Sequence, residues 1–187
     1  VIDGCPAGVS LDKELIEREL DKRRGGKNAA MSMRKEPDEV EFLSGLFEGK
    51  TTGTPIAFII RNRDAKTSDY DNLKDVYRPS HGDFTYQEKY GIRDYAGGGR
   101  ASARTLLPCV VAGAIARQIL ATQGIEVRSD VIQIGPERSE GFSTEEIENI
   151  LTKYREEKDT VGAVIQGVIK NAPVGLGEPA FMKFNAV

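Results

Sequence analysis

Apolar side chains recur along this chain at helical spacing near its start and at strand spacing soon afterwards. The pattern predicts a helix over residues 10–22, capped by Ser10. Its apolar face is formed by Leu11, Leu15, Ile16 and Leu20. A hairpin is predicted next. Its first strand is indicated by alternating apolar and polar residues over 39–47, its turn by residues 48–50 and its second strand by an apolar run over residues 55–60.

The pattern of apolar residues in the second half of the chain predicts longer helices and strands. Residues 102–123 follow a helical pattern that is apolar on more than one side, which is typical of a helix buried between layers. Residues 125–134 and 160–170 predict strands. Between them, Ser143-Thr144-Glu145-Glu146 is a capping box and predicts the start of a further helix. Strand pairs that alternate with helices favour an α+β fold in layers.

Length and composition narrow the class of protein. A chain of 187 residues with 39% hydrophobic and 29% charged residues is expected to form one globular domain over residues 1–187. No apolar run comes near the length of a membrane span, and the first residues lack a signal-peptide pattern. The formal net charge of -3 gives no overall attraction to nucleic acid.

Cysteine and histidine usage argues against a metal site. Cys5 and Cys109 are far apart in the sequence, and His81 is the only histidine. These residues match none of the spacings that zinc ligands adopt. Reduced cysteines in the cytoplasm are the simplest interpretation.

The candidate chemistry concentrates in residues 78–104. This segment holds His81, a Gly97-Gly98-Gly99 run that precedes the long helix, and the arginines Arg78, Arg93, Arg100 and Arg104. Glycines at a helix start let backbone N–H groups approach a ligand, and arginines donate in pairs to phosphate or carboxylate. A histidine beside them is suited to protonate a leaving phosphate. The segment therefore predicts an anion-handling site.

Each of these features also has a structural interpretation. The three glycines match neither the phosphate loop nor the dinucleotide fingerprint, and they could simply form a tight turn. The basic turn at residues 22–24 could offset a helix dipole or reach an anionic substrate. The tyrosines could flank a flat ring or pack in the core.

Several motifs resemble those of the chorismate synthase family. They lie at residues 43–55, 75–86, 89–95, 97–100, 102–104, 111–116 and 173–179, and the first eight residues are similar as well. The resemblance implies a β-α-β sandwich with helices packed between antiparallel sheets, assembled as a homotetramer. It also implies the 1,4-anti elimination of phosphate from 5-enolpyruvylshikimate 3-phosphate, which gives chorismate for aromatic amino acid biosynthesis. Reduced FMN is the implied cofactor, with NADPH as a possible reductant.

The resemblance also implies roles for single residues. His81 is similar to the histidine that assists the departing phosphate. Three arginines resemble those that bind the substrate: Arg23, Arg78 and Arg104. The flavin-contacting run corresponds to Arg100, Ala101 and Ser102.

Some positions depart from the family pattern. Ala29 and Ala96 stand where the family usually has arginine, and Ala101 replaces a serine. The family's Gly-Glu-Ser-His-Gly segment and its C-terminal half have no counterpart among residues 1–187. These departures favour an alternative in which the chain only binds flavin or a phosphorylated ligand. Nucleic-acid binding through the arginines is a third, weaker alternative, because the chain is net acidic.

Overall fold

The computed structural model describes residues 1–24, 36–63, 67–97, 99 and 102–177. The chain divides into two compact units, Val1–Ala116 and Arg117–Val187. The expectation of a single domain stays a prediction, because compactness of a unit does not establish that it folds alone.

The first unit begins with α1, Lys13–Asp21. The Asp12 carboxylate accepts a hydrogen bond from the Leu15 backbone N–H at 3.1 Å and so caps the helix. Ile16 and Leu20 are buried, as the predicted apolar face requires.

The predicted cap, Ser10, was wrong by two residues. Ser10 pairs with Lys50 in an antiparallel β-bridge, and the Leu11 N–H donates to the Gly49 carbonyl at 2.9 Å. These long-range hydrogen bonds hold the chain extended, so the helix begins only after them.

Four short strands follow in the first unit: β1 Val40–Phe42, β2 Leu46–Phe47, β3 Lys50–Thr51 and β4 Phe58–Ile60. The strands β1 and β4 pair antiparallel, which confirms the expected pairing of the two apolar segments. A small hairpin of β2 and β3 lies between them, with its turn at Glu48 and Gly49. The predicted strand over residues 39–47 is therefore interrupted.

The glycine-rich part of the chain contains a helix that the apolar pattern did not predict. A 3₁₀ helix at Thr67–Leu73 precedes α2, Asp83–Tyr90. The only buried residue of α2 is Asp83, whereas its aromatic side chains Phe84, Tyr86 and Tyr90 are exposed. A helix without an apolar face gives no periodic signal in the sequence.

The long helix predicted over residues 102–123 is confirmed as a 3₁₀ turn, Ala103–Leu106, that continues into α3, Leu107–Ala121. Pro108 lies in its first turn, where a missing N–H costs least. Burial is limited to one face, formed by Leu107, Val111, Ala114 and Ile115.

The helical stretch Ala103–Ala121 is also long and apolar enough, by length and composition alone, to cross a membrane. The expectation that no apolar run reaches this length was therefore wrong. The core helix of a soluble protein meets the same criterion, so the finding assigns no membrane location.

The second unit holds a three-stranded antiparallel sheet in the order β6-β5-β7. Its elements are β5 Glu126–Ile134, β6 Glu137–Arg138, α4 Thr144–Glu156 and β7 Ala163–Lys170. The Ser143–Glu146 capping box forms as predicted. Small antiparallel sheets combined with helices confirm the α+β class.

Candidate functional site

The loop that carries His81 is closed at its base. Residues 78–83, here called the His81 loop, connect the segment after the first 3₁₀ helix to α2. Asp83, the first residue of α2, turns back so that its Oδ2 accepts a hydrogen bond from the Arg78 backbone N–H at 3.0 Å. The carboxylate thus joins the two ends of the loop.

His81 is exposed on this loop with one ring nitrogen fixed. Its Nδ1 lies 2.8 Å from the Pro79 carbonyl oxygen. Because a carbonyl oxygen only accepts, Nδ1 must carry the proton of this hydrogen bond. The other nitrogen, Nε2, remains for proton exchange with a ligand.

Arg78 forms a two-pronged ion pair with Asp83. Its Nε donates to Oδ2 at 2.9 Å and its Nη2 donates to Oδ1 at 3.0 Å, while the Asp83 side chain is only 3% exposed. The side-chain hydrogen bonds from Arg78 hold the pKa of Asp83 well below its ordinary value of 3.8, against the opposing effect of burial. The carboxylate is therefore ionised at neutral pH.

A second arginine, which follows α2 in the sequence, approaches the same carboxylate. Arg93 is 5% exposed, and its Nη1 lies 3.5 Å from Asp83 Oδ2. Its Nη2 donates to the carbonyl oxygens of Leu73, Lys74 and Val76 at 2.6, 2.7 and 3.1 Å. Its guanidinium also lies 5.2 Å from the centre of the Tyr77 ring.

From the sequence, Arg93 is expected among the arginines of the anion-handling segment, and it lies within one of the motifs that resemble the family. Its contacts with Asp83 and with the carbonyls before α2 were not expected, because α2 itself was not predicted.

Arg104 belongs to a different cluster in the same unit. Its Nη2 donates to Asp38 Oδ1 at 2.9 Å and lies 3.8 Å from Glu36 Oε2. Both carboxylates are buried, and Glu36 also accepts the Arg63 backbone N–H at 3.0 Å. The Arg104 side chain is 26% exposed, so it keeps access to solvent while anchored to two acids.

Ser102 caps the 3₁₀ turn that leads into α3. Its hydroxyl oxygen accepts the Arg104 backbone N–H at 3.3 Å, and its backbone carbonyl accepts the Thr105 N–H. The other two members of the expected flavin run, Arg100 and Ala101, lie outside the described residues.

The two described residues of the glycine run both have positive backbone angles. Gly97 has φ +127° and Gly99 has φ +47°, and a Cβ on Gly99 would lie 3.0 Å from the Asp94 carboxylate. Both positions therefore favour glycine for steric reasons, which supports the interpretation as a tight turn.

Arg23 lies exposed just beyond the C-terminal end of α1. Its neighbour Arg24 instead pairs with Glu17 at 2.7 Å and Asp21 at 3.4 Å. Ala96 is exposed, and Ala29 lies outside the described residues.

The predicted site residues occupy three places in the first unit. Arg78 and His81 share one loop, Ser102 and Arg104 share the start of the long helix, and Arg23 follows α1. Within the described part of the chain, no hydrogen bond or ion pair links these three places. Their roles toward a ligand stay predictions.

Among the residues that the structure describes, no group of three or more His, Cys, Asp or Glu side chains could hold a metal ion. Cys5 is buried and Cys109 is exposed, and both are free thiols.

The fold and these clusters define an α+β protein with two acid–arginine clusters and a loop that exposes a histidine. The family model described as chorismate synthase matches residues 1–187. The chain belongs to the chorismate synthase family, which confirms the resemblance in its motifs.

Individual relatives give the same result. The chain is 50% identical to the chorismate synthase of Christiangramia forsetii and 48% identical to that of Parabacteroides distasonis, over its whole length and 58% of each relative. A crystal structure of chorismate synthase matches with a TM-score of 0.69 at 29% identity, covering 94% of this chain and 55% of that one. The chain thus spans somewhat more than half the length of these relatives.

Proposed function

We propose that the protein catalyses the reaction of its family, as a carbon–oxygen lyase. The reaction removes phosphate and a proton from 5-enolpyruvylshikimate 3-phosphate in a 1,4-anti elimination, and it gives chorismate. The observation that carries the proposal is the family match over residues 1–187. Reduced FMN as cofactor, NADPH as a possible reductant, a homotetramer and a cytoplasmic location belong to the same proposal.

His81 acts in this proposal as the acid toward the departing phosphate. Its Nδ1–H is engaged with Pro79, so a proton can leave from Nε2 only when the ring is the doubly protonated imidazolium. As the carbon–oxygen bond breaks, this proton passes to a phosphate oxygen and neutralises part of the charge that develops there.

The arginines bind and orient the anionic substrate. Arg78 and Arg104 each have part of their guanidinium fixed by buried carboxylates, which orients the remaining donors before a substrate arrives. Arg23 is exposed and suited to the mouth of the site. The N–H donors that these buried carboxylates do not use are available to the phosphate and the two carboxylates of the substrate.

The flavin-contacting role falls to Arg100, Ala101 and Ser102. Ser102 fits an oxygen-rich ligand, because its hydroxyl oxygen accepts from Arg104 and the hydroxyl proton has no acceptor among the described residues. When bound, reduced FMN supplies an electron to the substrate transiently and then recovers it. The chain's own part is to bind, to orient and to hold the proton on His81.

The experiment is an anaerobic assay with reduced FMN and 5-enolpyruvylshikimate 3-phosphate, followed by the absorbance of chorismate. We expect product with reduced FMN and none with oxidised FMN, which serves as the control. A folded protein that binds FMN and substrate by calorimetry but forms no chorismate would contradict the proposal and leave a binding function only.

A further inference from the structure

We infer that Asp83 and Arg93 are positioning residues that hold His81 in place for proton transfer. The inference rests on the proposed role of His81 and adds two residues to which no role is assigned. Neither needs to touch the substrate.

Asp83 closes the His81 loop through both backbone and side chain. One carboxylate accepts three hydrogen bonds from Arg78: from its backbone N–H, from Nε and from Nη2. The residues between them are only four, Pro79 to Gly82, so the path of the chain around His81 is short and tied at both ends. The Asp83 side chain is 3% exposed, which keeps water from competing for these bonds.

Arg93 ties the closed loop to the segment before it. Its Nη2 donates hydrogen bonds to the carbonyl oxygens of residues 73, 74 and 76, while its Nη1 faces Asp83. Nη1 is buried and has no hydrogen-bond partner among the described residues, so its approach to Asp83 at 3.5 Å is its electrostatic compensation. Removal of the Asp83 charge would leave Arg78 and Arg93 facing a neutral centre.

The closed loop imposes an unfavourable backbone angle beside the histidine. Ser80 has φ +63°, a left-handed conformation that non-glycine residues adopt at a cost. This conformation persists because the loop ends are fixed by Asp83. The same turn brings Pro79 O to within 2.8 Å of His81 Nδ1, which selects the tautomer that leaves Nε2 for the ligand.

The test uses the ring nitrogens of His81, which is the only histidine of the 187-residue chain. Long-range ¹H–¹⁵N correlation spectra report directly which nitrogen of a neutral imidazole carries the proton. In the original chain we expect the neutral ring to be predominantly in the Nδ1–H form. In Asp83→Ala we expect a mixture of both tautomers, with Asp83→Asn intermediate because one oxygen can still accept from the Arg78 N–H.

Arg93→Met gives a second arm, since it leaves the hydrogen bonds between Asp83 and Arg78 in place. It removes the tie to the carbonyls of residues 73, 74 and 76 and the approach of Nη1 to Asp83. We expect the tautomer preference to weaken there too. Should Asp83→Ala fail to fold, Asp83→Asn and Arg93→Met carry the test.

The matched control is Thr51→Val, which removes two buried hydrogen bonds, to Pro6 O and from the Val9 N–H, away from the loop. It lowers stability without touching residues 73–93, so the His81 spectrum should stay unchanged. Folded Asp83 and Arg93 variants that retain the Nδ1–H form as fully as Thr51→Val would overturn the inference.

Turnover gives a second, separate readout. If the original chain forms chorismate, Asp83→Ala should lower kcat on the order of 10²-fold, the effect of a misplaced catalytic group. If the original chain forms none, the proposed function fails while the spectra still decide whether Asp83 and Arg93 position the ring.

Discussion

Asp83 shows at the scale of one residue how a buried carboxylate organises a site. The sequence places it two residues after His81, where an acid could equally be a solvated helix N-terminal residue. In the structure it accepts from Arg78, faces Arg93 and is nearly inaccessible to water. A side chain with such partners contributes to both stability and positioning.

Replacement of Asp83 by alanine should destabilise the protein by about 3–5 kcal/mol, because two buried arginines lose their counter-charge. The folded-state pKa of Asp83 is lowered, so its contribution is complete above the ordinary value of 3.8 and is lost as the pH falls below that value. The difference in the free energy of unfolding between the two proteins should therefore shrink from pH 7 to pH 3 in urea titrations.

Glu41→Gln provides the comparison, since Glu41 pairs with Arg61 on an exposed surface. It should change stability by less than about 1 kcal/mol. An equal loss for both variants would argue against a special role for the buried carboxylate.

His81→Asn should leave stability unchanged and reduce turnover. The side chain is exposed, and among the described residues its one hydrogen bond is to the Pro79 carbonyl. Loss of a general acid typically lowers kcat by about 10²–10⁴-fold. Steady-state assays with reduced FMN, alongside thermal unfolding, measure both quantities, and unchanged kcat would remove His81 from the mechanism.

The small hairpins show, at the scale of secondary structure, how packing decides where elements begin and end. Gly45 follows β1 with φ +81°, and a Cβ there would lie 2.6 Å from the Ile56 Cα. Gly49 has a similar angle, φ +76°, but nothing lies within 4 Å of its added Cβ. Both glycines have a positive φ angle, but only Gly45 is crowded by neighbouring atoms. A comparison of the two therefore distinguishes the cost of steric crowding from the cost of the backbone angle.

Gly49→Ala should cost about 1–2 kcal/mol through its backbone angle alone. Gly45→Ala should cost more, about 2–4 kcal/mol, because the strand pairing must also shift. Gly113→Ala, in the middle of α3 and without any nearby atom, should instead stabilise by about 0.4–1 kcal/mol. Chemical denaturation of the three variants tests this order, and a larger loss for Gly49→Ala than for Gly45→Ala would refute it.

The start of α4 depends on a reciprocal cap. The Glu146 N–H donates to Ser143 Oγ at 3.2 Å, and the Ser143 N–H donates to Glu146 Oε2 at 2.7 Å. Ser143→Ala should destabilise the protein by about 1 kcal/mol. Backbone and side-chain hydrogen bonds from Ser143 lower the pKa of Glu146, so the cap is complete above its ordinary value of 4.5 and weakens as the pH falls below it.

The exposed neighbour Glu145 supplies the control, because Glu145→Gln leaves both hydrogen bonds of the cap intact. Circular dichroism and urea titration at pH 7 compare the two variants. Equal stability of Ser143→Ala and Glu145→Gln would show that the cap contributes nothing.

Buried apolar side chains are distributed unevenly over the whole molecule. Among the described residues, the second unit contributes only Ile125 and Ile134 to the set of buried hydrophobic side chains. The first unit contributes Cys5, Leu11, Ile16, Leu20, Ile56, Leu107, Val111, Ala114 and Ile115. On β7, Ile165 and Ile169 are 65% and 61% exposed.

Regions with few buried contacts open at lower free energy than a well-packed core. We therefore expect amides of β5 and β7 to exchange with deuterium faster than those of α1 and of residues 107–115. Hydrogen exchange followed by mass spectrometry gives this comparison peptide by peptide. Greater protection in β5 and β7 would show that burial does not set the order of opening.

Elements that depend on residues close together in the chain could be predicted from the sequence. The capping box of α4, the strand β5 and the long helix before it formed as predicted, because caps and periodic apolar positions act within a few residues. The family motifs likewise identified the chain, and they selected His81 and the arginines as candidates.

The contacts of those candidates could be seen only in the folded structure. Several features depend on partners elsewhere in the chain: the cap at Asp12 instead of Ser10, the helix α2, the pairing of Arg104 with Asp38, and the closure of the His81 loop by Asp83. Such partners are set by burial and charge compensation across the fold, and a buried ion pair leaves no periodic pattern in the sequence.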